Sequence, residues 1–278
     1  MSAALLYGLV ILSAIAHALW NALVKSAGDR MLTMVAIRTT GMMLGLIALP
    51  FVDWPAPESW KWLAVTSVVM FAYYALLVRS YGVGDMSVVY PLARGLAPVL
   101  TTIAAFLAIG EALSTGQIVA VAMISLGIMA LSFGAGASRV AVGFALATGV
   151  SVATYSFFAG LGVRTAGTVL GFQACLEIVT GLGTFCYGAV VRRADFMVYA
   201  RRHGAIGFLA GAVSVLGFLA FLVAATSLPL GPVSAVRETS VIFGAVLGTI
   251  VLKEGFGPRR IAAATLVTVG IVLLAVLR

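Results

Sequence analysis

The sequence predicts an all-α integral membrane protein of ten transmembrane helices, arranged as two inverted five-helix repeats. Three observations carry that prediction. Of the 278 residues 62% are hydrophobic and 9% charged, with a mean hydropathy of +1.15, which no soluble domain shows. Ten mostly apolar runs follow one another, each near the roughly 20 residues that a spanning helix needs. One pattern also occurs twice, about 143 residues apart: VVYPLARGLAPVLTTIAAFLAIGE at 88–111 and GPVSAVRETSVIFGAVLGTIVLKE at 231–254. Each copy sets an arginine, Arg94 or Arg237, inside an apolar run and closes on an acid, Glu111 or Glu254.

The predicted spans are 3–24, 31–51, 62–82, 86–109, 113–134, 140–161, 168–191, 204–227, 229–252 and 257–277. The first lacks a basic stretch before it and a small-residue cleavage site after it, so it reads as a spanning helix rather than a removed signal. Connections are short, the longest being the basic stretch near 192–203. Beyond the opening pair, Gly127 falls on Gly270 at the same 143-residue offset, and AHALWN at 16–21 aligns with VATYSF at 152–157 at an offset near 135. These matches divide the chain into repeats 1–136 and 137–278 within one membrane unit. Five spans per repeat is an odd number, so the halves lie in opposite orientation, with substrate expected near the midplane between them.

Charge sets orientation and partners. The net charge of +8 is carried mostly at helix ends, which suits lipid head groups and topology rather than nucleic acid. Loops after odd-numbered spans hold eleven basic residues (Lys25, Arg30, Arg79, Arg139, Arg192, Arg193, Arg201, Arg202, Lys253, Arg259 and Arg260), against three (Lys61, Arg164 and Arg278) after even-numbered spans and at the C-terminus. The positive-inside rule then puts both termini outside the cytoplasm. Cys175 and Cys186 lie eleven positions apart on one predicted helix, beyond disulfide reach. Gly41 with Gly45, Gly207 with Gly211 and Gly244 with Gly248 have the spacing that lets helices approach closely, read here as packing within a monomer, with a homodimer less favoured.

The chemistry-bearing candidates are polar groups inside apolar runs, where a charge is costly and usually faces a cavity, a partner or a substrate. His17, Trp20 and Asn21 share one face of the first span. They suit a substrate site or proton relay, or else hold helices together and anchor the interface. Tyr90 and Arg94 share a face of the fourth span, bracketed by Pro91 and Pro98, which loosen the backbone ladder. In the ninth span Ser234, Arg237 and Glu238 follow Pro229 and Pro232. Either arginine can instead be neutralised by Glu238 or Glu177. Arg38 and Glu177 occupy corresponding spans and would pair if their registers meet. Glu177 and Glu238 are also the candidates for proton coupling, since burial raises a carboxyl group's pKa. No metal-ligand cluster, nucleotide-phosphate loop or convincing catalytic dyad appears, so neither cofactor nor enzyme activity is expected.

The two five-span repeats, HALWN at 17–21, YPLARGLAP at 90–98 and the acid-ended fourth and ninth helices resemble the EamA branch of the drug/metabolite transporter superfamily. The resemblance covers nearly the whole chain. It implies a secondary carrier in the cell membrane, the inner one of a bacterium, that works by alternating access. It places Trp20, Asn21, Tyr90 and Arg94 near the cavity from the first half, and Tyr155, Ser234 and Arg237 from the second. It also implies cytoplasmic termini, the reverse of the charge tally. The expected function is export of a small polar metabolite, an amino acid or related zwitterion or anion, because guanidinium matches carboxylate and aromatic rings pack an organic body. An organophosphate or phosphonate carrier, a cationic drug carrier, and a non-transporting subunit or scramblase are the alternatives. The unequal neighbours of the two arginines, Gly95 and Glu238, predict an asymmetric site in which Arg94 meets substrate while Arg237 is balanced by Glu238.

Overall fold

A computed structural model describes residues 1–26, 29–83, 86–132, 138–244, 246 and 258–276. Its helices are α1 (Ala3–Ser26), α2 (Arg30–Ala48), α3 (Trp60–Val83), α4 (Met86–Ile109), α5 (Thr115–Ala130), α6 (Arg139–Thr165), α7 (Val169–Val191), α8 (Arg193–Ala225), α9 (Leu230–Glu238) and α10 (Pro258–Val276). Among the described residues there is no strand. Seven helices, α1 to α4 and α6 to α8, are long and apolar enough to cross a membrane, and α5 is a shorter apolar helix. Glu254 and Gly248 lie outside the described residues.

Local chemistry sets the starts. The Asp29 side chain accepts from Leu32 N–H at the head of α2. Ser114 and Gln117 form a reciprocal capping box on α5, and Ser138 and Thr168 cap α6 and α7. Such caps satisfy backbone donors that a helix start leaves unpaired. The polarity of the bundle is reversed relative to a soluble protein. Large apolar side chains such as Leu12, Ile47, Phe106, Leu107 and Val190 face outward, while Ser13, His17, Arg38, Arg94, Glu177 and Glu238 are buried. That is the arrangement hydrocarbon imposes.

Two elements depart from the sequence expectation. The basic stretch 192–203 is not a loop: it forms the first turns of α8, which runs for 33 residues, or about 50 Å at 1.5 Å per residue. Its apolar side explains this, because Phe196 packs edge-on against Phe185 at 5.9 Å and Tyr199 Oη lies 2.6 Å from Thr33 Oγ1. The ninth span is also broken. Helix α9 ends at Glu238, Thr239 forms a turn, and helical backbone resumes at 240–244. By contrast, α4 runs unbroken through Pro91 and Pro98.

Helices pack in reciprocal pairs. α1 lies on α8 as α3 lies on α6, and α2 meets α7, α4 meets α9, and α5 meets α10. A β-carbon added at Gly127 would stand 2.8 Å from Val267 Cγ2 and 3.1 Å from Ala263 O. One added at Gly270 would stand 2.7 Å from Ile124 Cγ1 and 3.0 Å from Ala120 O. Residues 120, 124 and 127 become 263, 267 and 270 on adding 143, so the two contacts are one contact made twice. Across α2 and α7 the same holds at 136: Gly45 closes on Ala174 and Ile178, and Gly181 closes on Arg38 and Met42.

Candidate functional site

At the centre of the bundle a cavity of about 30 Å³ is lined from both halves of the chain. α1 contributes Ser13, His17 and Trp20, α2 contributes Arg38, α3 contributes Tyr73 and Tyr74, and α6 contributes Tyr155. α8 adds Ser214 and Phe218, and α9 adds Arg237. Two guanidinium groups face this space, and its lining contains no carboxylate.

The arginines differ in what stands behind them. Arg38 Nη1 donates to Glu177 Oε2 at 3.0 Å and to Tyr74 Oη at 3.3 Å, and Arg38 Nη2 donates to Ser214 Oγ at 3.0 Å. Gln173 Nε2 donates to the other Glu177 oxygen at 3.1 Å. The 136-residue correspondence puts Glu177 where the first half has Gly41, and the two face each other: a β-carbon at Gly41 would collide with Glu177 Oε2. A glycine on one side is therefore the condition for a carboxylate on the other.

Arg94 is buried to 1% exposure and Glu238 to 0%. Arg94 Nη1 donates to Glu238 Oε2 at 2.5 Å, and its Nη2 reaches Tyr90 Oη at 3.4 Å. Arg237, also buried, has no carboxylate partner among the described residues. Its guanidinium lies 4.8 Å from the Phe221 ring centroid, 5.1 Å from that of Phe218 and 5.8 Å from that of Tyr155. Arg237 Nη1 donates to Tyr155 Oη at 3.3 Å, while its Nε is buried without a hydrogen-bond partner. Arg237 sits in the last turn of α9, where the carbonyl end of the helix dipole favours a cation.

The expected asymmetry therefore exists with its sides exchanged: Glu238 neutralises Arg94, and Arg237 is the arginine left facing the cavity. Of the anticipated residues, the structure gathers His17, Trp20, Tyr155, Arg237 and Arg38 around that cavity. Tyr90, Arg94, Asn21 and Ser234 are absent from its lining. Asn21 Nδ2 instead donates to the His17 carbonyl at 2.7 Å, and Ser234 is buried with its hydroxyl oxygen unpartnered. His17 meets Trp20 edge-on at 4.8 Å, and its Nε2 is buried without a partner. Ser13, Tyr73, Tyr74, Ser214 and Phe218 were not anticipated. Ser13 lies one helical turn before His17 on the same face, which was the available signal.

Charged clusters lie towards opposite ends of α8. At its far end Arg164 donates to Glu111 at 3.0 Å and to the carbonyls of Ala225 and Leu228 at 2.8 Å each. Glu111 also accepts from Leu230 N–H at 2.8 Å, capping α9. At its start Arg192 bridges Asp29 at 2.8 Å and Asp195 at 3.0 Å.

Residues 4–133 match the model of the EamA-like transporter family. No curated protein matches the chain. A crystal structure of another protein superposes with a TM-score of 0.74 at 15% identity, covering 98% of this chain and 96% of that one. That likeness is one of fold alone, and it spans both halves of the chain.

Proposed function

We propose that this chain, whose residues 4–133 match the EamA-like transporter family, is a multi-pass membrane transporter of small solutes rather than an enzyme, and carries a metabolite bearing one negative group, an amino acid or related zwitterion or anion. The acid-free lining around Arg237 carries this reading. With Arg38 neutralised by Glu177 and Arg94 by Glu238, one uncompensated positive charge remains, and it suits one carboxylate. Trp20 and Tyr73 supply faces for the organic body or for an ammonium group. Substrate-contacting roles are assigned to His17, Trp20, Tyr155 and Arg237, with Arg38 as a neutralised wall residue. A doubly charged phosphate would also need Arg38 released from Glu177, and a cationic drug would meet guanidinium groups with no acid between them.

Transport proceeds by alternating access between repeats 1–136 and 137–278, inverted relative to one another. The reciprocal Gly127 and Gly270 contacts, and those of Gly45 and Gly181, support this arrangement. The cavity is far below the roughly 300–1,000 Å³ of sites enclosing drug-sized ligands, so loading requires one side to open. The Arg164–Glu111 and Arg192–Asp29 clusters, one towards each end of α8, are the clamps that release in turn. Melting of purified protein against a panel of amino acids, monocarboxylates, phosphorylated metabolites and organic cations tests the proposal. Monoanions and zwitterions should stabilise the protein, and Arg237→Gln should remove the effect. Stabilisation by cations alone, or an undiminished effect in the variant, would overturn it.

A further inference from the structure

The centre of the bundle combines a small volume with an uncompensated charge. Taking an ion out of water is costly even after relaxation, and Arg237 is only 5% exposed. Its three aromatic rings and the end of α9 offset part of that cost. These contacts soften the charge without cancelling it. The buried Arg237 Nε and His17 Nε2 both lack protein partners. Two further donors line the same wall. Tyr155 Oη accepts from Arg237, and Ser214 Oγ accepts from Arg38, so each hydroxyl keeps its own proton for another acceptor.

The volume narrows the occupant. A cavity of about 30 Å³ is small beside the roughly 300–1,000 Å³ of sites that enclose organic ligands. One small, singly negative ion such as chloride suits a space of that kind. A weakly hydrated monoanion also tolerates walls such as Trp20, Met70 and Phe218, which would reject a strongly hydrated dianion.

We propose that the substrate-free carrier binds one chloride-sized inorganic monoanion beside Arg237, held by Arg237, the Tyr155 and Ser214 hydroxyls and the Nε2–H tautomer of His17. The ion neutralises the buried charge during passage through the closed state and leaves when a substrate carboxylate takes its place. The inference shares Arg237 with the proposed substrate site but requires no particular organic solute.

The test compares chloride with gluconate at equal ionic strength, without organic solute, on the purified full chain in detergent. The expected result is a saturable rise in melting temperature on the order of 5 °C, accompanied by saturable retention of radiolabelled chloride near one per chain. Arg237→Gln should lose both signals while melting no lower than the native chain does in gluconate. Arg237→Lys, which keeps the charge, should retain a chloride-dependent rise. Equal melting in the two salts with no retained chloride would overturn the halide site, as would an undiminished signal in Arg237→Gln. If chloride fails while carboxylates still stabilise through Arg237, the halide site falls and the organic-anion reading stands. If chloride succeeds and no organic anion stabilises, the halide site stands and the substrate reading falls.

Discussion

Arg94 and Arg237 stand 143 residues apart at matching points of a repeated pattern, both inside apolar helices and both nearly inaccessible to solvent. Arg94 meets a carboxylate at 2.5 Å, whereas Arg237 meets three aromatic rings and a phenol. The difference comes from one position: Glu238 in the second copy corresponds to Gly95 in the first. Glu238 goes to the partner across the interface and leaves its own sequence neighbour without a carboxylate. The comparison teaches that a duplicated arginine takes its surroundings from the charge balance around it, paired with an acid in one copy and facing aromatic rings and the cavity in the other.

Breaking the balanced side should produce the largest effect. Glu238→Gln leaves the Arg94 guanidinium buried opposite a neutral amide, and losing one partner of a buried ion pair costs about 3–5 kcal/mol. Urea or thermal unfolding should show that loss, with a matching loss from Arg94→Gln. The unbalanced side should respond in function rather than in fold. Arg237→Gln should melt no lower than the native chain in chloride-free buffer yet bind the carboxylate solute about 10- to 100-fold more weakly, as expected for a charge-assisted hydrogen bond of roughly 1.5–3 kcal/mol. Phe221→Leu, which removes one ring beside Arg237 and leaves Arg94 untouched, should change that affinity by several-fold.

How much of this was legible in the sequence depended on whether the determining contacts were local. The apolar runs needed only composition, and they located α1 to α4, α6 and α7 closely. The pairing of Glu238 was misread because Arg237 is adjacent to it. Residues i and i+1 project about 100° apart on a helix and do not face each other, so the carboxylate points to a guanidinium 144 positions away. The Arg38 and Glu177 pair was visible as chemistry, and its register emerged only from the packing of Gly41 against α7. The stretch 192–203 read as a loop because charge counts outweighed the apolar side of Phe196 and Tyr199. Tyr73, Tyr74 and Ser214 carried no motif, and only the assembled bundle brings them to the cavity.

The smallest expected effect lies outside the central comparison and sharpens it by contrast. Burial pulls the Asp29 carboxyl up, but the Leu32 N–H and the hydrogen bond and charge of Arg192 together hold it below its ordinary 3.8. A carboxylate so lowered contributes stability above that ordinary value and loses it as pH falls through the lower folded-state value. Asp29→Asn should therefore cost only about 0.2–1 kcal/mol at neutral pH, as partly exposed pairs do. It should also flatten the stability decline below about pH 4.

The most direct test removes the balanced pair altogether. A double variant, Arg94→Leu with Glu238→Leu, replaces a buried ion pair by apolar side chains, a change that is often neutral or stabilising. Uptake into proteoliposomes of the solute found by the melting panel, compared with Arg237→Gln, then separates the two arginines. The double variant should retain transport while Arg237→Gln abolishes it. A folded double variant that no longer transports, beside an Arg237→Gln variant that does, would contradict the assignment.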